Sequence, residues 1–264
     1  MPAINLPRLK IQTAKLMDRF DDPEEFLREL HNLFELYADR TLRKGAILSP
    51  ISVLPSYRVS PPVIRQLEYE LGARTRTDPE HSLVIADLLW EDAYYETRLL
   101  AAYLLGRMTP GGEDYLERLT AWVSETRDPA ISNTLLTTSL MRLRTENTDD
   151  FLLLMERWAH PSSKKMTPSV MVALVPLLKD KNFHNLPPVF NIVQPLVESA
   201  SATTQQELSM LVCALYDASP VETTFFLRQL VTISSRPHTI QNIRRILPTL
   251  PQPLQDELRE AIRR

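Results

Sequence analysis

The chain has 264 residues, of which 44% are hydrophobic and 24% charged, and its formal net charge is −3 at pH 7. This composition is ordinary for a folded protein, and it excludes a protein that attracts nucleic acid through its overall charge. The single cysteine, Cys213, excludes an internal disulfide and a cysteine-ligated zinc cluster. Cys213 stands in the apolar run MLVCALY, which favours a small core residue.

The same composition points to a chain of short helices. Five glycines leave little room for phosphate-cradling loops, whereas twenty-one prolines suit the first turns of many helices. No apolar run approaches the roughly 18 residues of a membrane span. The N-terminal stretch lacks the apolar core of a signal peptide. We therefore expect no membrane association and a cytoplasmic location.

In chain order, residues 7–19 and 23–39 are predicted to be two opening helices. The second begins at Asp22-Pro23, with a capping aspartate and a proline in the first turn. A loop or broken helix follows from Gly45 to Ser60, because Pro50 and Pro55 prevent a long regular element. Ser60 then caps a helix whose apolar stripe includes Leu67 and Leu71.

Leu88–Met108, LLWEDAYYETRLLAAYLLGRM, is predicted to be a helix that ends near Trp90, a tight turn, and a second helix with an apolar face. Helix-start signals recur from Pro79 to Pro251 at intervals of roughly 14 to 20 residues, so a helix pair repeats about every 34 to 37. The pattern predicts about thirteen helices in an all-α superhelix, a solenoid of HEAT-like or armadillo-type repeats. Residues 1–264 form one predicted domain, with N-terminal helices and an irregular loop over 1–56 and regular repeats over 57–264.

Two stretches carry a family resemblance. YRVSPPVIRQLEYEL, followed by the helix pair with Leu89-Trp90, Tyr95-Glu96 and Arg98, resembles the DNA alkylation repair family of HEAT-like repeat proteins. The later ELSMLVCALYDASPVETTFFLRQL and IQNIRRIL are similar to that family's closing repeats. The resemblance implies a single C-shaped domain that holds duplex or damaged DNA on its concave face.

The resemblance also implies a candidate activity, because members of that family include alkylpurine DNA glycosylases. Their pocket has a Trp followed four residues later by an Asp, with another Trp from a later repeat. Here Thr126 stands four residues after Trp122, and the nearest aspartate, Asp128, is also placed to cap a helix before Pro129. Val212 and Cys213 stand where the later aromatic residue is expected. The excision pocket is therefore predicted to be altered. In an active glycosylase, Trp122 would contact the lesion, and Asp128, or another acid that the sequence does not reveal, would stabilise the sugar cation.

Local basic residues are the candidate DNA contacts. A curved array could align them into a stripe along a phosphate backbone, although cations at helix C-termini also simply favour the helix dipole. For Arg98 the sequence favours the alternative, an ion pair between neighbouring helices. Core packing is likewise favoured for Trp90 and Trp158, whereas for Trp122 core packing and base stacking stay open. The candidate set is Arg98, Arg142, Arg144, Lys164, Lys165, Arg236, His238, Arg244 and Arg245.

Other site types have no sequence support. The five histidines have no metal-ligand spacing, and no serine or cysteine occupies a nucleophile motif, so neither a metal site nor a cofactor is predicted. Three functions remain open: a DNA-binding repair protein, a non-catalytic scaffold for a protein partner, and an active glycosylase. The sequence specifies no oligomeric state.

Overall fold

The computed structural model describes residues 5–39, 52–233 and 237–263, without the side chains of Lys164, Ile233 and Pro237. Every regular element in these ranges is helical, which confirms the all-α prediction. The α-helices are α1 (Leu6–Met17), α2 (Pro23–Tyr37), α3 (Pro61–Thr77), α4 (Pro79–Glu91), α5 (Tyr95–Arg107), α6 (Glu113–Glu125), α7 (Pro129–Thr134), α8 (Met141–Glu146), α9 (Thr148–Ala159), α10 (Thr167–Leu178), α11 (Leu186–Ser199), α12 (Gln205–Ala218), α13 (Pro220–Ile233), α14 (Pro237–Ile246) and α15 (Gln252–Arg263).

Capping residues and prolines set many of the helix starts. The Asp22 carboxylate accepts a hydrogen bond from the Glu25 backbone N–H at 3.1 Å, and Asp78 accepts one from His81 at 3.1 Å. Proline follows each of these aspartates. At the first position of a helix, a backbone N–H has no acceptor within the helix, so proline loses no hydrogen bond there. These local signals explain why the starts at Pro23, Pro79 and Pro129 were predictable from sequence.

One predicted helix is interrupted. The segment that starts at Pro129 contains a π-helical turn, Leu135–Ser139, between α7 and α8. This turn lies against Gly106 of α5, where an added Cβ would stand 2.8 Å from the Thr138 carbonyl oxygen. The Ser139 hydroxyl donates to the Ala102 carbonyl at 2.6 Å, and the Tyr115 hydroxyl donates to the Ser139 carbonyl at 2.7 Å. Tertiary contacts therefore accompany the wider turn.

The described residues fall into two compact units, 1–142 and 143–264. In the first, α5 packs against α3, α4 and the π turn, and the core includes the fully buried Leu67, Ile85, Leu89 and Leu100. In the second, α10 packs against α12 and α13 against α15. These helix pairs are consistent with an α-helical repeat solenoid. The assignment of 1–264 to one domain, with a boundary near residue 56, stays a prediction.

Candidate nucleic-acid interface

Residues 52–60, which we call the strap, form a non-helical segment before α3 that is held by two buried carboxylates. The first is Asp128, which is 2% exposed. Its Oδ1 accepts hydrogen bonds from the backbone N–H groups of Ala130 at 3.0 Å and Ile131 at 2.9 Å, which caps α7. Its Oδ2 accepts from the Ser52 hydroxyl and the Val53 N–H, both at 2.7 Å. One side chain therefore starts a helix and anchors the strap.

The second carboxylate is Glu96, in the first turn of α5 and also 2% exposed. It accepts hydrogen bonds from the Ser56 hydroxyl at 2.7 Å and from the N–H groups of Tyr57 at 3.2 Å and Val59 at 3.3 Å. The Tyr95 N–H donates to the Pro55 carbonyl at 2.9 Å. Buried charges are tolerated when hydrogen bonds replace their water, so this network fixes the turn from 56 to 59.

The electrostatics of this region follow from its geometry. Burial alone would raise the pKa of Asp128, but its hydrogen bonds with Ser52, Ile131, Val53 and Ala130 outweigh burial and lower it. For Tyr95, burial and then the charges of Asp128 and Glu96 raise the pKa. Asp128 is therefore an ionised, hydrogen-bonded anchor at neutral pH.

Arg58, in the strap, is not among the candidate residues predicted from the sequence. Its φ is 56°, and it is the one non-glycine residue with positive φ in the described ranges. Its N–H donates to the Ser56 hydroxyl at 2.9 Å, and its side chain is exposed. The left-handed region is unfavourable for a residue with a Cβ, so the surrounding hydrogen bonds hold Arg58 there.

An aromatic cluster lies beside Arg58. The Tyr57 and Tyr94 rings stack with centroids 4.5 Å apart, and His31 Nδ1 lies 2.9 Å from the Tyr57 hydroxyl. His31 Nε2 lies 3.4 Å from Asp92 Oδ1. Burial, followed by the hydrogen bond to Tyr94 and nearby negative charge, raises the pKa of Tyr57 far above its usual value. Tyr57 therefore stays protonated, and its location beside Tyr94 was not predicted.

Arg98 is half-buried over a tryptophan pair. Its Nε donates to the Asp92 carbonyl at 3.0 Å, and its guanidinium carbon lies 5.3 Å from the Trp90 ring centroid. Trp90 stacks on Trp122 with centroids 4.5 Å apart and an interplanar angle of 6°. Stacking and cation–π contact fix the position of Arg98 at the start of α5.

The two candidate catalytic residues take part in packing. Trp122 is 5% exposed, and its ring is stacked on Trp90. Asp128 lies at the start of α7 with both carboxylate oxygens occupied by hydrogen bonds. Trp122 is thus buried against Trp90, and each carboxylate oxygen of Asp128 accepts two hydrogen bonds. Trp90 and Trp158, at 7% and 3% exposure, are core residues as well.

The remaining candidate cations differ in their surroundings. Arg142 donates from Nη1 to the Arg107 and Met108 carbonyls, both at 2.8 Å, and thereby satisfies the end of α5. Arg144 is buried, at 9% exposure. Lys165 is exposed, whereas the side chain of Lys164 and the whole of Arg236 lie outside the described residues. His238, Arg244 and Arg245 are exposed on α14.

In unit 1–142, Arg98 belongs to α5, the helix whose Glu96 accepts hydrogen bonds from the strap. Unit 143–264 contains the candidates Arg144, Lys165, His238, Arg244 and Arg245. In that unit, Val212 is fully buried and Cys213 half-buried, and burial raises the pKa of the Cys213 thiol. The described residues hold no group of three or more His, Cys, Asp or Glu that could bind a metal ion. None of the described helices is long and apolar enough to cross a membrane.

Comparison with known proteins identifies the family. A model of the family described as DNA alkylation repair enzyme matches residues 38–229, which is most of the chain. The chain belongs to this family. No curated protein and no solved structure gives a significant match. The family match spans the strap, both buried carboxylates and Arg98, and it ends before α14.

Proposed function

We propose that this protein binds DNA in the repair of alkylation damage, holding duplex or damaged DNA along the concave face that the resemblance implies. The observation that carries the proposal is the family match over residues 38–229. The exposed arginines of the strap and of α14 support it, because phosphate attraction needs local cations when the net charge is only −3. Lys164, Lys165 and Arg236 belong to the same proposed set.

We also propose that the family's base-excision pocket is altered in this chain. Trp122 stacks on Trp90, and Asp128 has four hydrogen-bond donors on its carboxylate. A carboxylate that stabilises an oxocarbenium-like sugar needs an oxygen free to face it. The stack of Trp122 and the hydrogen bonds of Asp128 therefore support a protein in which these two residues do not excise a base.

Fluorescence anisotropy with a labelled duplex, untreated or methylated, tests DNA binding. We expect salt-sensitive binding, and replacement of Arg244 and Arg245 by Gln should weaken it about tenfold and reduce the salt slope by about 2. The matched control replaces Arg259 and Arg263, two exposed arginines of α15, by Gln. No binding by folded wild-type protein would instead favour a protein-interaction scaffold.

Excision is tested separately by measuring purine release from methylated DNA with enzyme in excess. We expect no release above the spontaneous rate. Release by the wild type that is lost in Trp122→Ala or Asp128→Asn, with both variants folded by circular dichroism, would show that the pocket is active and that this part of the proposal is wrong.

A further inference from the structure

We propose that Arg58 is a phosphate-contacting residue of the DNA interface and that the strap is its preformed support. The inference rests on the proposed DNA-binding function and adds a site to it, the strap end of unit 1–142. Its starting point is the conformation of Arg58, the single non-glycine residue with positive φ in the described parts of the chain. Such strain persists where surrounding contacts maintain it, and it concentrates at functional positions.

The contacts around Arg58 form a rigid support. Glu96 accepts from the N–H groups on both sides, Tyr57 and Val59, while Ser56 accepts from Arg58 itself. Tyr57 is fixed by its stack on Tyr94 and by His31. The backbone of Arg58 is therefore specified, whereas its exposed guanidinium has no hydrogen bond or ion pair within the described ranges.

A folding role does not explain the identity of the side chain. Glycine adopts the left-handed region without the steric cost that arginine carries, so stability alone would favour glycine at this turn. An exposed arginine contributes five N–H donors in a planar fork that matches phosphate oxygens. A group of this chemistry on a rigid turn can bind an anion with little loss of conformational freedom.

Charge along the strap favours an extended anion. Two further arginines lie close in sequence to the carboxylates that hold the strap: Arg127, next to Asp128, is exposed, and Arg98, two residues after Glu96, is half-exposed. The carboxylates of Glu96 and Asp128 are already compensated by hydrogen-bond donors of the strap and of α7. Four residue steps, from Val53 to Tyr57, can span at most about 13 Å, and one DNA strand passes a phosphate about every 3.4 Å of helix rise. A DNA strand therefore presents more than one phosphate over a length of this order.

The test compares Arg58→Gly, Arg58→Gln and Arg58→Lys with wild type in the anisotropy assay on the labelled duplex. We expect about a fivefold loss of affinity in the Gly and Gln variants, a salt slope smaller by about 1, and near wild-type binding with Lys. The thermal midpoint of Arg58→Gly should equal or exceed that of wild type, so that misfolding does not account for the loss.

Arg76→Gln is the matched control. Arg76 is exposed in the last turn of α3, roughly 23 Å of helical rise from the strap. Two outcomes would overturn the inference and leave the proposed function standing. In the first, Arg58→Gly and Arg58→Gln bind DNA as tightly as wild type; in the second, Arg76→Gln weakens DNA binding as much as they do. No wild-type binding would overturn both. Equal binding of poly-L-glutamate, with equal loss in Arg58→Gly, would assign the site to an acidic protein instead.

Discussion

The strap and α14 present arginines in opposite ways. Arg58 is held on a left-handed turn by hydrogen bonds that converge on the buried Glu96. Arg244 and Arg245 extend from the last turn of a regular helix whose other side packs against α11 and α12. Replacing an α14 arginine leaves the helix backbone in place, whereas the arginine of the strap depends on residues distant in sequence. The first surface is defined by tertiary contacts, and the second by local composition.

The largest effect is expected from Glu96→Ala, which removes the support of the strap. The Ser56 hydroxyl and the N–H groups of Tyr57 and Val59 lose their acceptor, which should reduce the free energy of unfolding by about 3 kcal/mol. Urea titration measures the change. Glu117→Ala, on the exposed face of α6, serves as the control and should change it by less than about 0.5 kcal/mol. Equal effects of the two variants would mean that Glu96 does not fix the strap.

Asp128→Asn should have a smaller effect of about 2 kcal/mol. Asparagine can still cap α7 with its amide oxygen, but it cannot also accept from both Ser52 and Val53. Because the pKa of Asp128 is lowered in the folded state, its stabilising contribution is complete at pH values above about 4 and disappears as the pH falls through the lowered pKa.

Urea titrations from pH 7 to pH 3 measure this dependence. The difference between wild type and Asp128→Asn should be constant from pH 7 to pH 5 and should shrink below about pH 4. A difference that grows on acidification would contradict an ionised carboxylate at this position.

Sequence reasoning predicted most helix starts correctly because those starts depend on neighbouring residues. It selected the arginines of α14 as candidates on the same local basis, and their role in DNA binding stays a prediction. Asp22-Pro23 and Asp128-Pro129 are local signals, and the structure starts α2 and α7 there. The same reasoning missed the π turn at Leu135–Ser139, whose contacts with Gly106 and Tyr115 come from distant parts of the chain. It also missed Arg58, since nothing in YRVSPP indicates that Glu96 would hold this turn.

Replacing an arginine by glycine should change the free energy of unfolding in opposite directions in the strap and in α14. Arg58→Gly should raise the free energy of unfolding by about 1 kcal/mol, because glycine tolerates the left-handed conformation. Arg244→Gly, inside α14, should lower it by about 0.5 to 1 kcal/mol, because glycine destabilises a helix. Thermal and urea unfolding of both variants measure the signs. A lower free energy of unfolding in both variants would indicate that the Arg58 side chain stabilises the fold.

The smallest effect is expected at Asp78, which caps α4 as Asp128 caps α7 but is exposed. Its carboxylate accepts one backbone hydrogen bond, from His81 at 3.1 Å, and asparagine caps a helix about as well as aspartate. Asp78→Asn should therefore change the free energy of unfolding by less than about 0.5 kcal/mol. Urea unfolding at pH 7, run beside Asp128→Asn, measures the contrast. A loss at Asp78 equal to that at Asp128 would mean that capping alone accounts for Asp128 and that the bonds to Ser52 and Val53 add little. If Asp78→Asn lowers the free energy of unfolding only slightly, the larger effect of Asp128→Asn comes from its hydrogen bonds to the strap, the segment that carries Arg58.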